Sequence, residues 1–372
     1  MSYLAFTDKF ATYITVENEQ SIFCKSKSRR LKMKKKILSF LFTLTILISL
    51  TFSVEAKEIK VGDEVLIGGM PFGIKIYTGE MVVSGFTNVD GIKESYSPAY
   101  NAGIREKDII LKINNKTIKS ADDVTNEVKN SEGKQLDFTC IRKGTEMHFT
   151  VNPIKSQSMG EYRIGVWIKD CTTGIGTITY LDKESGDFGG LGHGICSTEN
   201  GELLPMKNGK VNEVNISGIS KGEIGSPGEL KGFFSSGETG TINSNTKFGI
   251  FGIFTKPNIN TNINVPIKIA SKKETVSGKA KIYCTLSENC IKEYEIEIIC
   301  DSTDKSATNF AVLVTDPQLI NETGGIVQGM SGSPIIQDGK LVGAVTHVLV
   351  NDPTRGYGVY IENMLEVANK NS

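Results

Sequence analysis

The sequence contains little histidine, little tryptophan and no net charge. Its 372 residues include three His and one Trp, and 42 Lys or Arg balance 42 Asp or Glu. None of its seven Cys stands in a CxxC or Cys/His zinc spacing, so neither a metal site nor another cofactor is predicted. With 39% hydrophobic and 23% charged residues, the chain is neither disordered, nor a multi-span membrane protein, nor a collagen-like repeat.

The neutral total is the sum of a basic leader and an acidic body. Residues 1–56 carry nine Lys or Arg and four Asp or Glu, a net charge of +5, which leaves 33 and 38 for residues 57–372, a net charge of −5. The acidic body is not expected to bind nucleic acid, because phosphate binding needs a basic face. A single core rarely grows past about 250–300 residues, so the length predicts two domains.

The organisation of residues 33–56 is that of an export signal. Eight of the twelve residues from Lys25 to Lys36 are Lys or Arg, and Ile37 to Val54 is an uncharged, mostly apolar run. The small-x-small step Val54-Glu55-Ala56 follows it, as at a signal peptidase site. We expect a signal peptide or a signal-anchor that places the body outside the cytoplasm.

The first 32 residues do not fit this signal. A signal peptide begins with Met shortly before its basic residues, and Met33 stands directly before Lys34. We therefore expect Met33 to be the natural start, and residues 1–32 to be a mis-annotated or non-native extension.

Two regions follow, and the polar segment 155–158 is the expected junction. Residues 58–155 combine strand-like segments with one helix, predicted from Ala121 to Lys129 behind the N-cap Ser120. Residues 160–372 alternate short apolar runs with Gly and Asn turns, which predicts a mainly β domain of one barrel or paired barrels.

The first region resembles a PDZ domain. The resemblance is carried by Ser97-Pro98-Ala99, Ala102-Gly103-Ile104, Asp108-Ile109-Ile110 and Ile113-Asn114 with Ile118. PDZ domains add an extended peptide to a sheet edge and hold its carboxylate with backbone N–H groups. The resemblance implies a peptide ligand and a carboxylate loop at Gly69, Met70, Pro71, Phe72 and Gly73, although Pro71 lacks one donor. The alternative is a PDZ fold that only packs against the second domain.

A serine between two glycines predicts a nucleophile in the second region. In Gly329-Met330-Ser331-Gly332-Ser333-Pro334, the glycines can expose the Ser331 hydroxyl. The N–H groups of Gly329 and Ser331 can point at one position and form an oxyanion hole. The loop resembles the G-x-S-G-x-P motif of chymotrypsin-like serine peptidases. Ser333 is the competing nucleophile, and Ser331 is favoured because it holds the third place of the motif.

The three histidines are the candidates for the base that a serine nucleophile needs. His193 is favoured because Gly192 and Gly194 let the backbone bend and the imidazole reach across a cleft. His148 is interpreted as a surface residue of a PDZ strand, and His347 as a core or cleft-wall residue.

The carboxylate that would orient the base is less clear. Asp187, Asp301, Asp316 and Asp352 are the candidates, and Asp316 stands at a strand end before Pro317. In chymotrypsin-like enzymes the acid lies much further upstream of the nucleophile, so this analogy does not select Asp316.

A closer resemblance covers both regions. It is carried by F-G-x-L-G-H-G-I, T-D-P, Q-G-M-S-G-S-P-I-I-Q-x-G-K-L-x-G-A-V-T-H-V and V-N-D-P-T-R-G-Y-G. These motifs are similar to those of the sporulation serine peptidases called stage IV sporulation protein B. Matched motif by motif, the resemblance implies that His193 is the base, Asp316 the acid and Ser331 the nucleophile. It implies a fold of a signal-anchor, a PDZ-like domain and a chymotrypsin-like double β-barrel.

The resemblance also implies a function. Members of this family are exported into the space between the forespore and mother-cell membranes and cleave themselves near the N-terminus. They then cut the regulatory subunit of a membrane-embedded protease complex, which allows the sigma-K precursor to be processed. The alternatives are an inactive exported PDZ scaffold and a general extracytoplasmic quality-control serine protease. In the latter the PDZ domain usually follows the peptidase domain, whereas here it precedes it.

Overall fold

A computed structural model describes residues 58–197, 201–255, 266–287, 290–301 and 308–370. The expected extension 1–32 and export signal 33–56 lie outside these residues. None of the helices within the described ranges has the length and apolar character needed to cross a membrane.

Strands dominate the described part of the chain. The strands of its first half are β1 (Glu64–Ile67), β2 (Pro71–Phe86), β3 (Val89–Asp90), β4 (Ser95–Tyr96), β5 (Ile109–Ile113), β6 (Lys116–Thr117), β7 (Leu136–Arg142), β8 (Thr145–Val151), β9 (Ile154–Lys155), β10 (Tyr162–Arg163) and β11 (Val166–Leu181). Those of its second half are β12 (Asp187–Gly190), β13 (Asn208–Ser220), β14 (Glu229–Thr246), β15 (Gly249–Phe254), β16 (Pro266–Ile269), β17 (Gly278–Thr285), β18 (Ile291–Ile299), β19 (Asn309–Val314), β20 (Pro334–Gln337), β21 (Lys340–Leu349) and β22 (Asp352–Tyr360). The α-helices are α1 (Pro98–Asn101), α2 (Ala121–Asn130), α3 (Pro317–Thr323) and α4 (Ile361–Lys370), and a 3₁₀ turn covers Lys272–Glu274.

A first barrel closes through antiparallel pairing of β2, β11, β12, β15, β14 and β13, with β13 pairing back to β2. Successive side chains of a strand point to opposite faces, so alternate residues of β2 fill the interior. Phe72, Ile74 and Ile76 are accordingly buried in one cluster with Ile178 of β11.

A second barrel closes through β17, β18, β19, β22, β21 and β20, with β20 pairing back to β17. Tyr294, Ile296 and Ile298 of β18 alternate with exposed or half-buried residues and belong to its core. Helix α4 then buries Met364 and Leu365 in a separate apolar cluster. Two closed barrels confirm the predicted mainly β, double-barrel fold.

The PDZ-like unit is built on β5, β7, β8 and helix α2. Ser120 caps α2 by accepting a hydrogen bond from the Asp123 N–H group, and Val124 and Val128 are buried one helical turn apart. The predicted helix is confirmed and is one residue longer than expected.

The amino-terminal domain boundary differs from the prediction. Strand β1 and the first half of β2, expected in the PDZ-like unit, pair with peptidase strands β11, β13 and β16. Strands β2 and β11 pair from Phe86–Val166 to Pro71–Thr177, so their outer halves belong to the PDZ-like unit and their inner halves to the first barrel. The PDZ-like unit is therefore inserted between two strands of that barrel.

The segment Gly69 to Gly73, which was expected to be the carboxylate loop of the PDZ-like unit, lies in the first barrel instead. The Gly69 carbonyl accepts a hydrogen bond from the Thr285 hydroxyl at 3.0 Å, and Met70 accepts one from the Ile178 N–H group. The buried Phe72 ring packs against Phe188 at 5.7 Å. This segment leads into the first barrel. The prediction failed because a short Gly-Met-Pro-Phe-Gly match cannot distinguish a PDZ loop from the start of a barrel strand.

The groove of the PDZ-like unit lies elsewhere. A cavity of about 600 Å³ separates helix α2 from segment 165–168, where β11 begins. Val124 and Val128 line its helical side, and Trp167, 60% exposed, lines its strand side. Gly165 has a φ of +68°, and a Cβ atom there would collide with the Thr87 carbonyl, so this turn requires glycine.

Two buried threonines of β11 connect the first barrel to the loop that holds Ser331. The Thr177 hydroxyl donates to the Gly329 carbonyl and the Thr179 hydroxyl to the Gly332 carbonyl, both at 2.8 Å. The Thr177 N–H group donates to the Ser331 carbonyl, also at 2.8 Å. Because these groups are buried, each donor removed leaves a carbonyl without its partner.

We expect Thr179→Val to lower the free energy of unfolding by about 1–3 kcal/mol, since the buried Gly332 carbonyl loses its partner while the side-chain volume is kept. Urea denaturation of the full chain measures this. Thr241→Val, at an exposed position of β14, is the matched control and should stay within about 0.5 kcal/mol of the wild type. Equal unfolding free energies for the two variants would contradict the assigned role of Thr179.

Candidate active site

The loop around Ser331 needs both of its glycines. Gly329 and Gly332 have φ angles of +97° and +98°, a region that side chains with a Cβ rarely adopt. A Cβ atom on Gly332 would also collide with the Thr177 carbonyl. The N–H groups of Gly329 and Ser331 donate no hydrogen bond to another described residue.

Of the two serines in the loop, only Ser331 has an accessible side chain. Ser331 is a partly exposed residue, and its hydroxyl donates to the Thr346 carbonyl at 2.6 Å. Ser333 is fully buried, and its hydroxyl donates to the Met330 carbonyl at 2.7 Å. The structure therefore separates a cleft serine from a core serine.

His193 reaches the same cleft from the first barrel. Strand β12 ends at Gly190, and Leu191 and Gly192 follow with φ angles of +68° each. Gly192 lies against Thr346, the residue that accepts the Ser331 hydrogen bond. The positive φ angles thus turn the chain so that His193 meets the second barrel.

The tautomer of His193 follows from its hydrogen bond. Its Nδ1 atom lies 2.9 Å from the Gly194 carbonyl, which can only accept, so Nδ1 carries the proton and Nε2 is free to take one. The pKa of His193 is lowered to about 4: desolvation is the main cause, the hydrogen bond to Gly194 opposes it, and the neighbouring His347 lowers the pKa by a smaller amount. At neutral pH the imidazole is uncharged, as a general base must be.

His347 lies directly beside His193. Their ring centroids are 4.4 Å apart, with 35° between the ring planes. Both rings line a cavity of about 430 Å³ together with Phe248 and Asn309. Partial desolvation lowers the pKa of His347 as well. The interpretation of His347 as a cleft-wall residue agrees with this position.

Ser331 and His193 thus meet at one dipeptide of β21, Thr346-His347. The hydroxyl contacts the first residue and the imidazole faces the second. No hydrogen bond joins Ser331 to His193, because the hydroxyl is directed to the Thr346 carbonyl. Catalytic hydrogen bonds are often absent from structures without substrate, so this geometry is compatible with a nucleophile and its base.

Asp316 does not lie where the acid of a triad has to lie. Its carboxylate accepts hydrogen bonds from the N–H groups of Gln318, Leu319 and Glu295 at 2.8, 3.1 and 3.2 Å, which makes it the N-cap of α3. Asn309 lines the His193 cavity at one end of β19, whereas Asp316 follows its other end, about 20 Å further along the extended chain. The expected hydrogen bond between Asp316 and His193 is therefore absent.

The other carboxylates considered from the sequence do not replace Asp316. Asp187 begins β12 and Asp352 begins β22, where it accepts hydrogen bonds from Thr354. Asp301 is exposed after β18, and neither Asp187 nor Asp352 hydrogen-bonds to His193. His148 lies on β8 with an exposed side chain, as predicted.

The sequence reasoning missed Thr177, Thr179 and Thr346. Nothing local distinguishes Thr177 and Thr179 from other strand threonines, because their partners lie about 150 residues away. Thr346 could have been found. The Asp338-Gly339 turn pairs Gln337 with Lys340, and extending that register places Thr346 and His347 beside Ser331.

Comparison with curated proteins finds similarity over part of the chain. It is 33% identical over 102 residues to a protein of Lactococcus lactis described as a zinc metalloprotease candidate, covering 27% of this chain and 22% of that protein. It is 32% identical over 106 residues to the probable protease eep of Enterococcus faecalis, covering 27% and 25%. The chain thus spans about a quarter of the length of these relatives.

Solved structures resemble each unit separately. The Rv3671c protease of M. tuberculosis in its active form aligns with 11% identity and a TM-score of 0.31, covering 54% of this chain and 74% of that one. The PDZ domain of an SdrC-like protein of Listeria monocytogenes aligns with 17% identity and a TM-score of 0.19, covering 24% and 93%. The fold assignment rests on the two closed barrels and not on these scores.

Family models match both units. A PDZ domain model matches residues 92–142, and the model of the SpoIVB peptidase S55 family matches residues 160–365, more than half of the chain. The second match contains the Ser331 loop and the His193 turn. The chain therefore belongs to the SpoIVB peptidase S55 family.

Proposed function

We propose that Ser331 is the nucleophile, that His193 is the general base, and that the N–H groups of Gly329 and Ser331 form the oxyanion hole. The observation that carries this proposal is the meeting of an accessible serine and a neutral imidazole at Thr346-His347. The two N–H groups without an intramolecular acceptor support it, because preorganised donors stabilise the charge that develops during acyl transfer.

The chemistry follows from the positions of the hydrogen atoms. The Ser331 hydroxyl rotates away from the Thr346 carbonyl, gives its proton to Nε2 of His193 and attacks the peptide carbonyl. The Gly194 carbonyl holds the Nδ1 proton, and this keeps Nε2 as the accepting atom. The imidazolium then protonates the leaving amine, and water repeats the sequence on the acyl-enzyme.

The biological role is proposed from the motifs and from the family. We propose a peptidase exported across the cytoplasmic membrane, with residues 37–54 as its signal peptide or anchor. It cleaves its own N-terminal segment and then a regulatory subunit of a membrane-embedded protease complex, and this leads to processing of the sigma-K precursor in sporulating cells. The Lys and Arg residues directly before the apolar run support export in this orientation.

The PDZ-like unit would hold an extended peptide in its groove. Segment 165–168 offers a strand edge beside α2, and Val124 and Val128 offer an apolar wall opposite it. PDZ domains recognise peptides through these two features. The groove therefore supports a protein substrate or partner that presents an extended, partly apolar segment.

We expect Ser331→Ala to abolish self-cleavage and labelling by a fluorophosphonate probe, because the probe reacts with an activated serine hydroxyl. His193→Ala should slow labelling by at least about 100-fold. Mass spectrometry of the N-terminus and of the labelled peptide reports both. His148→Ala, at an exposed histidine, is the control and should behave as the wild type.

Normal labelling of Ser331→Ala would reject this nucleophile, and an unlabelled wild type would indicate an inactive scaffold. Equal cleavage of unfolded casein and of membrane-protein ectodomains would favour a general quality-control protease over a signalling one.

For Asp316, the hydrogen bonds support a structural role. We expect Asp316→Asn to label at nearly the wild-type rate, because Asn caps a helix as well as Asp does. Asp316→Ala should lower the free energy of unfolding by about 0.5–2 kcal/mol through loss of the cap. Labelling kinetics and urea denaturation measure the two effects, with Asp338→Asn in an exposed turn as the control. A labelling rate that falls by about 10⁴-fold in Asp316→Asn would instead identify Asp316 as the acid of a triad.

The pH dependence should reflect the lowered pKa of His193. Protonation of Nε2 removes the base, so activity is lost as the pH falls through the pKa of about 4 rather than near 6.5. We expect the labelling rate constant to stay nearly level from pH 7 to about 5 and to fall below that. Labelling reactions quenched at set times measure this rate constant at each pH. Circular dichroism at the same pH values confirms that the chain stays folded. A midpoint near pH 6.5 would contradict it.

A further inference from the structure

The His193 ring is held at its edge by a backbone carbonyl and on its face by a second imidazole. Nδ1 is bound to the Gly194 carbonyl, and the His347 ring lies 4.4 Å from the His193 ring. No described carboxylate is hydrogen-bonded to His193. The group that orients a catalytic histidine must therefore be sought among these two neighbours.

The Gly194 carbonyl cannot align His193 with Ser331 by itself. It belongs to the residue that follows His193, so the hydrogen bond moves with the turn and fixes only the tautomer. Gly190, Gly192 and Gly194 give this turn more backbone freedom than other residues would. A contact from the second barrel is needed to fix the ring relative to the nucleophile, and His347 makes that contact.

The strand that carries His347 has an irregular register at this residue. Strand β21 pairs with β20 and β22, but its register with β22 shifts between Val345 and Val348. Such irregularities redirect side chains and often lie beside active sites. Here the Thr346 carbonyl accepts the Ser331 hydroxyl and the next residue, His347, faces His193. One rigid element thus contacts both members of the proposed catalytic pair.

We propose that His347 is a positioning residue of this peptidase, whose neutral ring holds the face of His193 in line with Ser331. This inference rests on the proposed roles of Ser331 and His193. The tilted stacking of the two rings, with 4.4 Å between their centroids, limits how far the His193 ring can rotate.

The charged groups around the cavity favour the neutral form of His347. Lys247 and Cys196 are the other titratable residues that line it, beside the two histidines. A positive Lys247, whose Nζ atom lies over the Phe248 ring at 5.4 Å, disfavours a further positive charge in the cavity. His347 therefore presents a neutral ring to His193 at neutral pH.

The test measures fluorophosphonate labelling of the full chain in His347→Ala and His347→Phe. The probe releases fluoride and forms a bond to the Ser331 Oγ atom, so its rate reports the nucleophile without a known substrate. We expect His347→Ala to slow labelling by about 10- to 100-fold, because a small misplacement of a catalytic group costs this much. Phe keeps an aromatic face, so His347→Phe should recover most of the rate. His148→Ala is the matched control.

The acid limb of the pH profile gives a readout that a purely structural role would not change. Two imidazoles 4.4 Å apart titrate as a coupled pair. Protonation of His193 removes the free base, and protonation of His347 places a positive charge beside His193, so either one lowers the rate. The wild-type logarithmic rate should therefore fall with a slope approaching roughly two per pH unit, and that of His347→Phe with a slope of about one.

Wild-type labelling and an unchanged slope in His347→Ala would overturn the inference, while Ser331 and His193 would keep their roles. Failure of His347→Phe to recover the rate, when its urea midpoint equals that of the wild type, would overturn it as well. If His193→Ala labels normally and His347→Ala does not, His347 is the base itself. An unlabelled wild type, or labelling of Ser331→Ala, would reject the proposed function and this inference with it.

Discussion

The contact between β11 and the loop 329–333 is the constraint on which the site depends. The proposed nucleophile, Ser331, belongs to the second barrel and the proposed base, His193, to the first, so the two can meet only if the barrels are held in one register. Thr177 and Thr179 hold it through buried hydrogen bonds to carbonyl groups of the loop. Those carbonyls accept these bonds in a loop where Gly329 and Gly332 adopt positive φ angles, and the N–H groups of Gly329 and Ser331 have no acceptor among the described residues.

The site is in a resting arrangement. The Ser331 hydroxyl is hydrogen-bonded to the Thr346 carbonyl, and the neutral His193 makes its hydrogen bond to the described residues through Nδ1. The Gly194 carbonyl fixes the tautomer of His193, and the His347 ring lies against the face of its imidazole. Asp316 contributes at a distance, since its cap begins the helix that leads through Gly324 to the nucleophile loop.

The PDZ-like unit and the first barrel share continuous strands. Strand β11 starts at the groove with Val166 and reaches the nucleophile loop at Thr177, while β2 pairs with it along the way. Backbone hydrogen bonds fix the register of the two strands along this length. The two units are thus joined by continuous strands and not by a flexible linker. For this reason the polar segment 155–158 marks only part of the boundary between the two domains.

The sequence by itself determined the features that depend on neighbouring residues. The Gly-Met-Ser-Gly-Ser loop, the glycine turn at His193 and the Ser120 cap are recognisable because turns and caps are decided within a few positions. Only the tertiary structure decided which distant residues meet. In the structure, residues 69–73 lie in the first barrel, Asp316 lies at a helix end away from the cavity, and the His347 ring lies beside the His193 ring. The physical reason is that barrel closure joins strands far apart in the chain, and a contact of this kind leaves no local pattern in the residues that make it.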